Sequence, residues 1–186
     1  MTKTALLLAA LLASAGASAQ IVKLQTSEGD IRIELNAALA PKSVANFVHY
    51  VKAGHYNGVV FHRVIDGFMI QTGGFDAKLV QRPTKPPIPL ESHNGLSNVR
   101  GSVAMARTND PNSATSQFYI NVADNLPLDG QPDNPASGYA VFGQVIEGMD
   151  VVDKIRVTPV APFQMHQHMP VNPVTITKAL VEPVKK

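Results

Sequence analysis

The chain has 186 residues and a mass of 19.9 kDa, enough for one domain and too little for two of ordinary size. Its 45% hydrophobic content supports a globular core, and 16% charged residues, lean against an ordinary figure of about 25%, excludes a disordered or coiled-coil chain. A net charge of +2 without a clustered basic face gives no electrostatic reason for nucleic-acid binding. The lack of cysteine removes disulfides, thiol nucleophiles and cysteine-ligated metals.

The chain begins with a targeting pattern. Lys3 precedes the unbroken apolar run Ala5–Ala13, and Ala17-Ser18-Ala19 supplies the small-x-small pattern read by signal peptidase. That run is too short for a membrane span, which needs about 20 apolar residues. Residues 1–19 are therefore expected to be a signal peptide cleaved after Ala19, leaving residues 20–186 as a single exported domain with no membrane contact.

Ile21–Thr26 and Ile31–Leu35 alternate apolar and polar residues around the turn cluster Ser27-Glu28-Gly29-Asp30, which predicts a hairpin. Pro41 suits a first helical turn, and Val44, Phe47, Val48 and Val51 recur at i, i+3, i+4 and i+7, so a helix runs to the stop signal at Gly54. Further short strands are expected at Val59–Arg63, Met69–Gln71, Ser102–Ala106, Gln117–Val122, Tyr139–Val145 and Val174–Val181. Met149–Ile155 predicts a second, shorter helix. Four prolines between Asp76 and Asn98 predict a surface loop, and Pro159–Pro173 reads as similarly irregular. Many short strands point to a closed or sandwich-like sheet rather than a doubly wound fold.

Chemistry concentrates in three segments: Phe61–Gln71, Ala104–Arg107 and Ser116–Asn121. On the blocks FHRVIDGFMIQTGG and MAR…SATSQFYINVADN the chain resembles the cyclophilins, a family of peptidyl-prolyl cis-trans isomerases, over roughly Ile21 to Val181. The likeness is greatest to the secreted, periplasmic bacterial branch. The resemblance implies a mainly β fold, a closed eight-stranded antiparallel barrel capped by two α-helices, with a substrate groove on its outer face. It implies acceleration of X-Pro rotation in unfolded or extended proline-containing polypeptides during folding of exported proteins in the periplasm. No cofactor, metal or nucleic acid is called for, and a monomer is expected.

Carried over residue by residue, Arg63 matches the catalytic arginine, and Gln71 the glutamine that bonds substrate backbone and helps hold that arginine. Phe68, Met69, Tyr119 and Leu128 match the lining of the proline pocket; Gln117 and Tyr139 match groove positions. Ala106 and Arg107 match the segment whose main chain pairs with substrate as an added strand, with a mainly backbone role at Arg107. Four departures stand out, the first three being Arg107 for a frequent asparagine, Tyr119 for a common phenylalanine, and Tyr139 for the histidine of many eukaryotic relatives. Pro127 replaces the tryptophan that those relatives use for cyclosporin, so sensitivity to the drug does not carry over automatically.

The residue types make sense without the family. Amide resonance opposes X-Pro rotation by about 18–20 kcal/mol, and no covalent step is needed to lower that barrier. A site need only bind the twisted bond better than either planar isomer. The twisted prolyl nitrogen becomes pyramidal and regains a lone pair, which a fixed, permanently charged donor such as Arg63 stabilises.

Other readings compete. A non-catalytic binder or chaperone of proline-containing segments would use the same groove without needing Arg63, and a lipocalin-like carrier would need an open barrel interior. His62, Asp66 and Ser116 hold the ingredients of a hydrolase triad, but Ser116 lacks a G-x-S-x-G setting and His62 reads as a satisfied structural histidine. His166 and His168, flanked by Met165 and Met169, read as solvated loop residues rather than metal ligands.

Overall fold

Alternation decides the first hairpin. In the computed structural model, which describes residues 20–183, β1 (Gln20–Thr26) pairs with β2 (Gly29–Leu35) in continuous register from Gln20↔Leu35 to Thr26↔Gly29. Val22, Leu24, Ile31 and Ile33 all turn inward and are fully buried. The expected signal peptide lies outside the described residues.

Helix α1 (Pro41–Lys52) starts on Pro41 as expected, but its N-cap Ala40 has no side chain to offer the free N–H groups. Glu91 of the proline-rich loop supplies that function: its carboxylate accepts from the Lys42 N–H at 3.0 Å and the Ser43 N–H at 2.8 Å. This cap also anchors the long Asp76–Asn98 loop against the body. The helix stripe buries Val44, Phe47, Val48 and Val51. Phe47 meets Tyr56, Phe118 and Phe142 at ring-centroid distances of 5.4, 5.1 and 5.1 Å. These four rings are fully buried and fill the interior, which removes the lipocalin-like reading.

The remaining strands are β3 (Val59–Val60), β4 (Arg63–Ile65), β5 (Met69–Thr72), β6 (Ser102–Met105), β7 (Phe118–Asn121), β8 (Val141–Glu147), β9 (Val160–Phe163), β10 (His166–Pro170) and β11 (Thr175–Val181). The second helix, α2 (Met149–Arg156), follows β8 and packs on β2, β4 and β5. Nine strands form one antiparallel sheet in the order β3-β11-β1-β2-β8-β6-β7-β5-β4. Its two end strands are pieces of a single run, broken at Phe61-His62. Within that run the Phe61 N–H reaches Val174 O at 2.9 Å and the His62 N–H reaches Gln71 O at 3.2 Å. Counted once, the run brings the strands to eight, and it bridges both ends of the sheet. The mainly β architecture is as expected; "closed" slightly overstates a curved sheet whose seam is two short ladders rather than one full strand.

The segment Pro159–Pro173 overturns its expectation. It folds as the hairpin β9–β10, a separate two-stranded ribbon with an irregularity between His166 and Met169. Both strands of such a ribbon are edge strands, where a proline can face outward without removing a ladder hydrogen bond; proline content alone misleads there.

Candidate active site

The same alternation that fills the barrel builds a second, outer surface. Val64, Ile70, Phe118, Ile120 and Val103 point into the core. Their neighbours Arg63, Gln71, Tyr119 and Ala104 stand opposite one another across β4, β5, β7 and β6 in a single register row. Met69, Ala104, Tyr119 and Val141 form a small buried cluster of their own on this face, with Phe68, Ala106, Leu128 and Tyr139 packed over it.

A cleft of about 150 Å³ opens there, lined by Arg63, Phe68, Met69, Gln71, Ala106, Arg107, Tyr119, Leu128 and Tyr139. That is small beside the roughly 300–1,000 Å³ of a drug-sized ligand site and suits one ring or short side chain. Nine of the ten residues singled out in the sequence meet at this cleft. The tenth, Gln117, stands just behind it, where its Oε1 accepts from Gln71 Nε2 at 2.8 Å. Phe68 and Met69 share the outer cluster although adjacent, because Phe68 lies in the turn before β5 and escapes strand alternation.

Arg63 is half-buried, with its Nη1 donating to Gln71 Oε1 at 3.3 Å and lying 3.8 Å from Met69 Sδ. Its Cζ stands 5.9 Å from the centre of the Phe68 ring. Among the described residues it forms no ion pair, so no carboxylate neutralises the guanidinium. Gln71 and Gln117 continue the chain of contacts behind it. The backbone of Ser116-Gln117 comes this close because of the paired glycines of the TGG motif. A Cβ at Gly73 (φ +95°) would sit 2.5 Å from Ser116 O, and one at Gly74 2.7 Å from Gln117 Nε2.

The Tyr119 hydroxyl finds a partner rather than water. It donates to Asn98 Oδ1 at 2.8 Å, and burial pushes its pKa well up, so it stays protonated. Asn98 escaped the sequence reading. It is fully buried and also accepts from Asn121 Nδ2 at 3.2 Å. Its own Nδ2 and backbone N–H donate to Asp129 Oδ1 at 2.8 and 2.7 Å. Asp129 closes the 3₁₀ turn Leu126–Leu128, so one side chain joins the floor of the cleft to the wall carrying Leu128. An asparagine ending a proline-rich loop carries no local signal of this role.

Arg107 does more with its side chain than the backbone role expected of it. Its Cζ lies 4.7 Å from the Tyr139 ring centre, and it donates to Gly138 O at 2.9 Å and Thr108 O at 2.8 Å. The rim of the cleft is thereby tied to the loop before β8. The triad ingredients do not assemble: the Ser116 hydroxyl donates to Gly73 O at 2.8 Å, and Asp66 pairs with Arg156 at 2.5 Å.

His62 and His166 both depart from expectation. The His62 Nδ1 is the one buried side-chain nitrogen or oxygen among the described residues with no hydrogen-bond partner, so this histidine, which also interacts with the Val60 backbone and the Gln117 side chain, is only partly satisfied. His166 is not a solvated loop residue; β10 brings its ring within 5.4 Å of His62 and 4.8 Å of Phe75, while His168 stays exposed. Among the described residues no group of three or more metal-ligating side chains gathers.

Burial, reinforced by the nearby His166, lowers the His62 pKa to about 4. The unfolded chain takes up this proton near pH 6.5 and the folded chain does not, so stability falls as pH drops from about 6.5 to about 4 and is unaffected above that window. At about 1.4 kcal/mol per pH unit the loss approaches roughly 3 kcal/mol. Urea denaturation at pH 7.5 and 4.5 checks this: His62→Phe is expected to flatten much of the difference seen in the wild type. An unchanged difference would assign the acid sensitivity elsewhere, for example to His55, whose pKa burial also lowers.

Known proteins share this architecture. Residues 21–181 match the family described as Cyclophilin type peptidyl-prolyl cis-trans isomerase/CLD. A peptidyl-prolyl cis-trans isomerase of Acinetobacter baylyi is 49% identical over 99% of this chain and 97% of its own length. Peptidyl-prolyl cis-trans isomerase B of Escherichia coli is 48% identical over 87% of this chain and 99% of its own. A crystal structure of a Cryptosporidium parvum cyclophilin type isomerase superposes with a TM-score of 0.73 at 26% identity, covering 89% of this chain and 98% of that one. The chain belongs to the cyclophilin family and is a peptidyl-prolyl cis-trans isomerase acting on proline-containing polypeptides.

Proposed function

We propose that the cleft accelerates X-Pro rotation with Arg63 as the catalytic residue. The prolyl ring rests on Met69 and Tyr119 between Phe68 and Leu128, an apolar lining suited to a ring with no polar edge. Held there, the ring is the fixed half of the imide, and the preceding carbonyl turns. As the bond twists, the nitrogen lone pair develops beside a guanidinium that Gln71 steadies. The charge stabilises this state more than either planar isomer, which is the requirement for rate enhancement. The observation carrying this reading is an arginine beside the apolar side chains of Phe68, Met69 and Leu128 with no carboxylate partner among the described residues. Gln71 and Gln117 act as positioning and substrate-bonding groups, and the Ala106-Arg107 main chain and Tyr139 border the bound segment.

The substrates in this proposal are newly exported, incompletely folded polypeptides in the periplasm, met by a monomer that binds neither nucleic acid nor membrane. The N-terminal targeting pattern supports that setting. Two measurements test it. NMR exchange spectra of a proline tetrapeptide should show cis and trans signals exchanging in the presence of the protein, whereas binding without accelerated exchange would favour the non-catalytic reading. Expressed from its full gene, the chain should be recovered from the periplasmic fraction with Gln20 as its first residue; an intact Met1 form retained in the cytosol would remove the export reading.

A further inference from the structure

We propose that the β9–β10 hairpin and the loop facing it form a second docking surface, which holds an apolar stretch of the same polypeptide whose proline occupies the cleft. The occupant's identity rests on the isomerase reading; the surface itself does not.

From Val157 to Thr177 the chain has no Asp, Glu, Lys or Arg. Six of the ten large exposed hydrophobic residues among those described fall here or on the facing loop: Val80, Val157, Val160, Phe163, Met165 and Val171. Phe163 is 54% exposed and Met165 80%, and every residue of β9 is exposed. Between the hairpin and the 77–79 loop lies a groove of about 370 Å³, walled by Leu79, Pro162, Phe163, Met169, Pro170 and Pro173. Scattered apolar residues on a surface need no explanation, but an apolar hairpin without a charge of its own does; the groove's one charged lining residue is Lys78, on the facing loop. Edge ribbons are ordinarily protected by lysines or other charges, and this one has none.

Continuity with the cleft identifies the occupant. β10 packs on β4, the strand carrying Arg63, and His166 seats its ring on His62, the residue before Arg63, and on Phe75, just past the strand that carries Gln71. Because β10 packs on the strand that carries Arg63, a polypeptide extending past Arg63 has the hairpin as its neighbour. Unfolded chains display the apolar side chains such a groove takes. Pro162 removes an N–H from β9, which argues against simple strand addition and for recognition through side chains, where Met165 and Met169 can adapt to varied sequences.

The test uses the mature chain with two peptides sharing one X-Pro bond: a tetrapeptide confined to the cleft, and a longer peptide carrying a Leu- and Val-rich stretch beyond it. The wild type should bind the longer peptide more tightly and turn it over with a lower KM. The double variant Phe163→Ser/Met165→Ser should raise that KM by roughly tenfold while leaving tetrapeptide kinetics unchanged. Val171→Ser, on the groove's other side, should act in the same direction. Equal KM values for the long peptide in wild type and variants would overturn the docking surface. So would sedimentation showing a dimer that the same substitutions dissociate, since the face would then belong to a second copy. Tetrapeptide turnover reports separately on the isomerase reading, and fluorescence anisotropy of the long peptide decides docking even if turnover is absent.

Discussion

Arg63→Ala is expected to lower kcat/KM for a proline tetrapeptide by about 10²–10³, the usual consequence of removing one preorganised donor aimed at developing charge. The loss should appear mainly in kcat, because the apolar lining that holds the prolyl ring is untouched. Arg63→Lys should recover little. A lysine presents a compact, strongly hydrated charge and lacks the rigid fork that places Nη1 against Gln71 Oε1. The fold should survive, since Arg63 is half-buried and makes no ion pair among the described residues. Retention of full activity by a folded Arg63→Ala protein would remove the arginine from the mechanism.

Asn98→Ala should produce the second largest effect, and through structure. It strands the Tyr119 hydroxyl in a fully buried setting, leaves one of the two Asn121 amide N–H groups without its acceptor while the other keeps Ser102 Oγ, and takes one donor from Asp129. Each buried group left unsatisfied costs about 1–3 kcal/mol, so a total near 3 kcal/mol is expected in urea denaturation. Because Asp129 positions the turn holding Leu128, the KM of a proline peptide should rise several-fold while kcat changes less. Adding Tyr119→Phe to the variant should recover about 1 kcal/mol by removing the orphaned hydroxyl. A loss below 1 kcal/mol, with KM unchanged, would show that the two walls of the cleft hold their positions without this side chain.

Most strands were legible because their cause is local. Period-two alternation in Ile21–Thr26 and Ile31–Leu35 states which face is buried whatever the partner, and the i, i+3, i+4 stripe of α1 does the same for a helix. The block from Arg63 to Gln71 was legible for a related reason. One short hairpin places Arg63 opposite Gln71, so residues eight apart in sequence become neighbours by strand pairing alone. The β9–β10 hairpin was missed because its prolines read as breakers, and their tolerance depends on both strands being edges, a property of the whole sheet.

By itself the sequence determined most of the strands and both helices, which are written in short-range periodicity, and, through the resemblance carried by contiguous blocks, the family and the residues that line the cleft. Only the tertiary structure decided that Glu91 caps α1 across 49 positions, that Asn98 joins Tyr119 to Asp129, and that His62 lies against His166 with an unpartnered nitrogen. The reason is physical. Burial and hydrogen-bond satisfaction at these points depend on segments brought together from distant parts of the chain, and no local propensity encodes which polar group will meet which.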